Sequence, residues 1–223
     1  CGSSQFGDED SFGEVALRLP ERGAIGTIGA SGDTYWDEDY WWNVGLTNTI
    51  EDTTTYEESG LGLYDRVFHM HGEDKSEWYV SQGGMLTAGN LAVAASTSPQ
   101  RHYYWEVYHL MGDPSLMPYW GVPQALTVTL EEDKLRIGDD SLQIQTDPYA
   151  YAALSMGEEL VGAGFADKDG AVKLQFDELE HPGLATLVIT RQNRQPYIQE
   201  LPVAPVGEPY LLPRQVGVND SLS

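Results

Sequence analysis

The hydrophobic pattern of the first 120 residues predicts short helices around one apolar strand. A helix is predicted over 11–19, because Ser11 is a suitable N-cap, Glu14 stands at the capping-box position and Pro20 follows the last turn. The apolar run at 23–30 predicts a buried parallel strand. Apolar residues at helical spacing predict three more helices, over 57–71, 77–96 and 101–111. This alternation is typical of an α/β layer.

The pattern changes near residues 121–124. Gly112 and Pro114 predict the end of the last helix. Short alternating runs then continue to residue 204, and the turn signal at 167–170 separates two of them. About seven strands in roughly 80 residues predict an immunoglobulin-like β-sandwich. The predicted domains are therefore an α/β part at 1–121, a sandwich at 122–204 and a tail or linker at 205–223.

The strongly negative charge of the chain argues against some classes of binding partner. Its 223 residues carry a formal net charge of −23, and 41% of them are hydrophobic. Such a surface repels phosphate backbones, which argues against nucleic acid, and favours hard cations such as calcium. The single cysteine excludes a disulfide framework and a cysteine-based zinc or iron–sulfur site. No apolar run has the roughly 20 residues needed to span a membrane.

The cysteine, Cys1, leaves three interpretations open on local sequence alone. It is the lipid-modified residue of a mature lipoprotein, a boundary without chemical meaning, or a nucleophile at the end of a parallel strand that lies upstream.

Longer motifs favour the nucleophile. The chain carries CGSSQFGDEDSFGE, GAIGTIGAS, TYWDEDYWW, QGGMLTAGNLAV and YYWEVYHLMGDPSLMPY. Together they resemble peptidase family C25, the gingipain-type cysteine proteases. The resemblance implies a caspase-like α/β catalytic domain, of which residues 1–121 are the second half. It also implies an immunoglobulin-like domain after the GDPSL segment at 112–116.

The resemblance also implies roles for individual residues. Cys1 would be the nucleophile, and its own backbone N–H would contribute to the oxyanion hole. Trp36 would wall the primary specificity pocket. The family's general base is a histidine upstream of the cysteine, where its acidic pocket residue is also expected, and none of the five histidines here takes that place. This chain alone is therefore expected to be inactive, with the N-terminal half supplied by an upstream segment or a separate chain.

Two acidic clusters suggest a metal site in predicted loops. Loop carboxylates suit calcium, and gingipain-type enzymes bind it, so a structural Ca²⁺ is the one cofactor expected. The candidate ligands are Asp8, Asp10, Asp37 and Asp39. A solvated acidic face is the alternative. His69 and His71 are a weaker metal candidate, because side chains two residues apart on a helix point to different sides.

The resulting prediction is a secreted or cell-surface cysteine endopeptidase, exported by a type IX pathway, that cleaves peptides or proteins. Gingipains favour Arg or Lys, and an acidic surface suits a basic substrate. Two alternatives stay open: a non-catalytic surface protein or lipoprotein anchored through Cys1, and a sortase-like processing protease of an outer-membrane export machinery.

Overall fold

The computed structural model describes residues 2–7, 10–46, 55 and 60–205. The chain forms two compact units, Cys1–Pro118 and Tyr119–Ser223. No helix in the described ranges is long and apolar enough to cross a membrane.

The described residues of the first unit form five helices and a two-stranded sheet. The helices are α1 (Phe12–Arg18), α2 (Trp36–Val44), α3 (Leu63–Phe68), α4 (Gln82–Ala94) and α5 (Tyr103–Val107). The strands are β1 (Gly26–Ala30) and β2 (Tyr108–Gly112), and 3₁₀ turns cover Lys75–Glu77 and Pro99–Arg101. The buried core comes from the helices α2 to α5: Trp42, Leu63, Val67, Met85, Val93 and Tyr104.

Helix α1 confirms the predicted start signal. The Ser11 side chain accepts a hydrogen bond from the Glu14 N–H, and the Glu14 carboxylate accepts one from the Ser11 N–H at 2.8 Å. The hydrogen bonds to Ser11 hold the pKa of Glu14 below its usual value. This reciprocal pair satisfies two of the amides that a helix start leaves without partners. The helix ends at Arg18, before Pro20.

The partner of strand β1 differs from the prediction. The sequence predicted a buried parallel strand at 23–30, whereas β1 begins at Gly26, is only partly buried and pairs antiparallel with β2. In the register of this pair, Ile28 lies opposite Leu110. Apolar periodicity indicates how much of a strand is buried but not which strand lies beside it, and β2 itself was predicted as helix.

The predicted helix over 101–111 is wrong in its second half. Only Tyr103–Val107 is helical, and the chain continues as β2. The run 103–111 is apolar and aromatic on nearly every side, so it fits both periods, and pairing with β1 decides between them. Gly112 therefore ends a strand, at φ 136°, where a Cβ would lie 2.9 Å from the Gly26 Cα atom.

Two further helices are shorter than predicted. Of the range 57–71, residues 57–59 lie outside the described part, and α3 ends at Phe68 because His69 takes a left-handed conformation. Helix α4 begins at Ser81, whose hydroxyl accepts from the Gly84 N–H. The ring of Trp42 occupies the space that a side chain at Gly89 would need, so this glycine allows α2 and α4 to approach closely.

The described residues of the second unit are mainly strands, and its two larger sheets share one core. Its strands are β3 (Gln124–Ala125), β4 (Thr129–Leu130), β5 (Leu135–Arg136), β6 (Ser141–Gln145), β7 (Tyr151–Met156), β8 (Glu159–Phe165), β9 (Ala171–Gln175), β10 (Gly183–Thr190), β11 (Arg194–Gln195) and β12 (Tyr197–Ala204). A five-stranded sheet has the order β5-β12-β10-β7-β8, and a three-stranded sheet has the order β4-β6-β9. A short parallel pair joins β11 and β3.

Strands β6, β7, β9 and β10 bury alternate residues. Ile144 and Leu174 of the smaller sheet and Leu154 and Leu187 of the larger sheet belong to one buried cluster. The predicted turn at 167–170 is confirmed, because the Asp167 carboxylate accepts from the N–H groups of residues 169 and 171. The predicted tail lies outside the described residues from 206 onward.

Candidate active site

The segment that follows Cys1 lies against the carboxyl end of β1. Cys1 itself is outside the described residues, but the N–H of Gly2 donates to the Gly32 carbonyl at 3.2 Å. The N–H of Ser4 donates to the Ala30 carbonyl at 3.0 Å. The residue next to Cys1 is therefore fixed beside the loop that leaves β1.

This close approach depends on Gly29. A Cβ at Gly29 would lie 2.6 Å from the Ser3 hydroxyl oxygen and would also overlap the Ser4 side chain. Ser4 is fully buried, and its hydroxyl has no hydrogen-bond partner among the described residues. The N–H of Gly13 donates to the Ser3 carbonyl at 2.9 Å, so α1 helps to hold the same segment.

Residues 31–35, which we call the β1–α2 loop, come directly before the predicted pocket residue. Trp36 is the first residue of α2, and its side chain is 89% exposed. Asp33 is exposed in the middle of the loop, next to Gly32 and three residues before the indole. An exposed carboxylate and an exposed indole thus lie on the loop that contacts Gly2.

Three tyrosine hydroxyls hold this loop, two through its backbone and one through the Thr34 side chain. Tyr103 donates to the Asp33 carbonyl at 2.9 Å. The Tyr104 oxygen accepts from the Tyr35 N–H at 3.0 Å and donates to Asp39 Oδ1 at 2.8 Å. Tyr108 donates to the same carboxylate oxygen at 2.8 Å and hydrogen-bonds the Thr34 side chain.

The hydroxyls of Tyr104 and Tyr108 stay protonated. Burial raises the pKa of Tyr104 and of Tyr108 far above the usual tyrosine value, and the neighbouring Asp39 carboxylate adds to the effect. A negative charge on either phenol would be desolvated and close to a second negative charge. Both phenols therefore keep the proton that they donate to Asp39.

The acidic run 37–39 lies in the first turn of α2, and not in a loop as predicted. Asp39 is occupied by two tyrosines, and buried Glu38 accepts a hydrogen bond from the Ser98 hydroxyl. Asp37 is exposed. Consecutive helix positions point to different sides, so the three carboxylates diverge.

The predicted calcium ligands are not brought together in the part that the structure describes. Asp10 forms an ion pair with Arg18, and Asp8 lies outside the described residues. No group of three or more metal-ligating side chains occurs in the described ranges. Because one predicted ligand is among the undescribed residues, the calcium site stays a prediction.

A histidine lies next to the same loop. His109 Nε2 and the Ser31 hydroxyl oxygen are 2.8 Å apart, and the Phe6 ring packs edge-on against the imidazole at 5.3 Å. His69 and His71 lie elsewhere: His69 stacks on Trp78, and His71 approaches Asp65.

Sequence reasoning missed Asp33 and the tyrosines. Asp33 had a usable signal, because an acid stood between the end of a predicted strand and an aromatic run. Tyr103 and Tyr104 had none, since a predicted helix over 101–111 gave no reason to aim their hydroxyls at a loop about 70 residues earlier.

Comparison with known proteins identifies the family. The model of peptidase family C25 matches residues 1–119. The chain belongs to peptidase family C25. The resemblance stated from the sequence motifs is therefore confirmed.

Relatives of this C25 chain are named gingipains. It is 36% identical to Lys-gingipain W83 of Porphyromonas gingivalis over 217 residues, which cover 94% of the chain and 12% of that protein. Lys-gingipain of strain ATCC 33277 has the same identity and the same coverage. The chain thus spans about an eighth of the length of these curated relatives.

Solved structures support the same placement of the C25 chain. A structure described as a protease aligns with a TM-score of 0.79 and 34% identity, covering 91% of this chain and 45% of that one. The Arg-specific cysteine proteinase gingipain R aligns with a TM-score of 0.70 and 18% identity, covering 88% and 42%. At that identity, gingipain R supports the fold alone. The mixed α/β first unit is part of a gingipain fold.

Proposed function

We propose that this chain is the C-terminal part of a gingipain-type cysteine endopeptidase, with Cys1 as the nucleophile. One observation carries the proposal. The Ser4 N–H is bonded to Ala30 at the carboxyl end of β1, and the Gly2 N–H is bonded to Gly32 in the loop that carries Asp33 and leads to Trp36. Because Gly2 lies at this edge, a substrate bound here is proposed to meet both the Cys1 thiol and the loop.

The chemistry is acyl transfer. The Cys1 thiolate attacks the scissile carbonyl carbon, and the C–S bond forms as the carbonyl oxygen takes the negative charge. The Gly2 N–H is bonded to the Gly32 carbonyl. The resemblance to gingipain-type proteases implies that the Cys1 N–H is a donor to the oxyanion. The C–N bond then breaks, and the imidazolium of an upstream histidine protonates the leaving amine. Water, deprotonated by the same imidazole, attacks the thioester and releases the acid and the thiolate.

The general base and the rest of the α/β domain come from upstream residues or from a separate chain. Two surfaces of the first unit support this partner. Among the described residues, β1 has a strand partner on one edge only. Helix α1 also presents an exposed apolar face, formed by Phe12, Val15 and Leu19 at helical spacing. An added strand and an added helix layer would give the first unit the caspase-like arrangement.

The second unit is proposed to be an immunoglobulin-like sandwich. Its two sheets enclose one core and are formed by short alternating strands, which is the architecture of that class. This part supplies none of the residues of the proposed site.

The substrate is proposed to carry a lysine or arginine before the scissile bond. A basic side chain matches the exposed Asp33 carboxylate, its alkyl stem can lie along the Trp36 indole, and the chain as a whole is strongly acidic. The names of the relatives given as Lys-gingipain favour lysine.

The nucleophile is tested on the complete protein, including its upstream residues. A lysyl peptide chloromethyl ketone is added, and the adduct is located by tandem mass spectrometry. In the wild type we expect alkylation of Cys1 and, with it, loss of peptide hydrolysis. Cys1→Ala should show neither alkylation nor hydrolysis. A diacylglycerol group on the Cys1 sulfur would instead mean a lipoprotein anchor. This chain alone should show no hydrolysis.

The substrate side chain is tested with peptides that differ only in lysine or norleucine at that position. Asp33→Asn should lower kcat/KM for the lysyl peptide by about 10- to 100-fold, the range expected for losing a hydrogen bond to a charged group. The norleucyl peptide should be unaffected. The matched control is Asp37→Asn, an exposed acid four residues along. Equal losses in both variants would mean that general surface charge, and not Asp33, selects the substrate.

The protease is proposed to work outside the cell or at its surface. The acidic composition and the single cysteine are compatible with that location. Fractionation of the producing cells, with detection of the protein in medium, surface and cytoplasm, tests it. Recovery from the cytoplasm alone would contradict the proposal.

A further inference from the structure

The β1–α2 loop depends on distant residues for its conformation. Its first residue is tied to the end of α5, because the Ser31 N–H donates to the Val107 carbonyl at 2.8 Å. The next contacts come from the hydroxyls of Tyr103, Tyr108 and Tyr104, which reach residues 33, 34 and 35 in that order. Three successive loop residues are thus held by one segment, 103–108, which we call the tyrosine clamp.

The clamp fits the loop closely. Gly32 has no side chain, and a Cβ there would lie 2.8 Å from the Tyr103 hydroxyl oxygen. Tyr104 is fully buried, so its hydroxyl is held in place by packing as well as by hydrogen bonds. Both features fix where the loop backbone runs.

Tyr104 also fixes the start of α2. Tyr35 is the N-cap residue, and its own side chain makes no capping hydrogen bond. The Tyr104 hydroxyl accepts from the Tyr35 N–H and donates to Asp39, four residues later on the first turn. It therefore joins the end of the loop to the helix. Trp36 lies between these two anchors and is 89% exposed, so its position follows from the backbone and not from side-chain packing.

We propose that Tyr103 and Tyr104 are positioning residues for substrate selection: they hold the β1–α2 loop so that Asp33 and Trp36 meet the same substrate side chain. The inference rests on the proposed function. Neither tyrosine touches substrate. Asp39 assists by accepting the Tyr104 hydrogen bond.

The test removes single hydroxyls from the complete protease. Tyr103→Phe and Tyr104→Phe keep the rings and lose the hydrogen bonds to the loop. The matched control is Tyr151→Phe, a partly exposed tyrosine on β7 of the second unit. Each variant is assayed with the lysyl and norleucyl peptides, and the rate of Cys1 alkylation by iodoacetamide is measured alongside.

We expect each clamp variant to lower the lysyl-to-norleucyl ratio of kcat/KM by about 3- to 10-fold, which corresponds to one hydrogen bond. The loss should appear as a higher KM for the lysyl peptide. Iodoacetamide should react with Cys1 at the wild-type rate, and Tyr151→Phe should behave as wild type. Because Tyr103 is only half-buried, its variant keeps the test valid if Tyr104→Phe fails to fold.

Three results would overturn the inference. The ratio could stay unchanged in Tyr103→Phe, both peptides could lose activity equally, or Tyr151→Phe could show the same change. In each of these cases the wild-type protein would still hydrolyse the lysyl peptide and be labelled at Cys1. The proposed function would therefore survive. A wild-type protein without hydrolysis or Cys1 labelling would remove both proposals.

Discussion

Two tryptophans of α2 show how differently one residue type is used within a few positions. Trp42 is buried, stacks on Tyr108 with ring centroids 4.5 Å apart and donates to Asn90 at 2.9 Å. Trp36 is almost fully exposed at the start of the helix. An exposed indole contributes little to the free energy of folding, and single exposed apolar side chains are common on protein surfaces. The pocket role of Trp36 therefore needs a test that separates binding from stability.

Replacing these tryptophans separates stability from binding. Trp36→Ala should leave the free energy of unfolding within about 0.5 kcal/mol of wild type, as is usual for exposed positions, and should raise KM for the lysyl peptide. Trp42→Ala should cost about 3–5 kcal/mol, because it leaves a cavity in the core. Urea unfolding and steady-state kinetics measure both. A large stability loss in Trp36→Ala would contradict the pocket role.

The second unit contains a carboxylate, Asp147, whose pKa is lowered by neighbouring arginines. Asp147 forms ion pairs with Arg191 and Arg194, and Arg194 Nε lies 2.6 Å from its Oδ2 atom. The Asp147 carboxylate also accepts a hydrogen bond from the Thr127 N–H at 3.1 Å. Burial opposes ionisation, but the hydrogen bonds from Arg194 and Thr127 and the two positive charges outweigh it and lower the pKa of Asp147. A depressed folded-state pKa adds stability above the ordinary value of about 3.9, and this contribution is lost as the pH falls through the folded-state pKa.

Asp147→Asn should therefore lower stability at pH 7 by about 1–3 kcal/mol, the range expected when a buried acceptor of charged donors is weakened. It should also weaken the fall in stability that the wild type shows as the pH drops below about 4. Urea unfolding at a series of pH values measures this. Asp133→Asn, at an exposed acid, serves as the control and should keep the wild-type profile. Identical acid profiles in both variants would show that the arginine pair contributes nothing.

Elements were predictable where a local signal decides them and were not where pairing decides them. The capping box of α1 is local, and it was found from Ser11 and Glu14. Strand β2 was predicted as helix, because the run 103–111 satisfies both periods and only its bond to β1 selects the strand. For the same reason the sequence indicated Trp36 but not the tyrosine clamp, since the clamp exists only when α5 and the loop are adjacent.

Strand β1 packs against the segment that follows Cys1, and Gly29 leaves the space for this contact. Gly29→Ala should push Ser3 and Ser4 away from the strand, because no side chain fits there. We expect a stability loss of about 1–3 kcal/mol, typical of an overpacked site, with slower hydrolysis and a changed rate of Cys1 alkylation. Gly7→Ala is the matched control, since a Cβ at Gly7 has no neighbour within 4 Å among the described residues. Unchanged alkylation in Gly29→Ala would show that the reactivity of Cys1 does not depend on how the following segment packs on β1.

At the level of the whole molecule, the two units differ in how complete they are. The second unit encloses its core between two sheets, whereas the first has a sheet of two strands among its described residues. The chain covers less than half of the solved protease that it resembles at 34% identity. The proposed upstream layer would explain the first unit's exposed apolar helix face, because apolar patches on a protein surface often mark an interface.

The exposed face of α1 gives the most direct test of the missing half. Phe12 is 75% exposed here, and in the complete protease we expect an upstream layer to bury it. Phe12→Ser should then cost about 2–4 kcal/mol in urea unfolding of the complete protein and should reduce hydrolysis. Leu160→Ser, at a similarly exposed position on β8, is the control and should change stability by less than about 0.5 kcal/mol. If both variants are equally neutral, the N-terminal half does not dock on α1, and another surface of the first unit must receive the residue that activates Cys1.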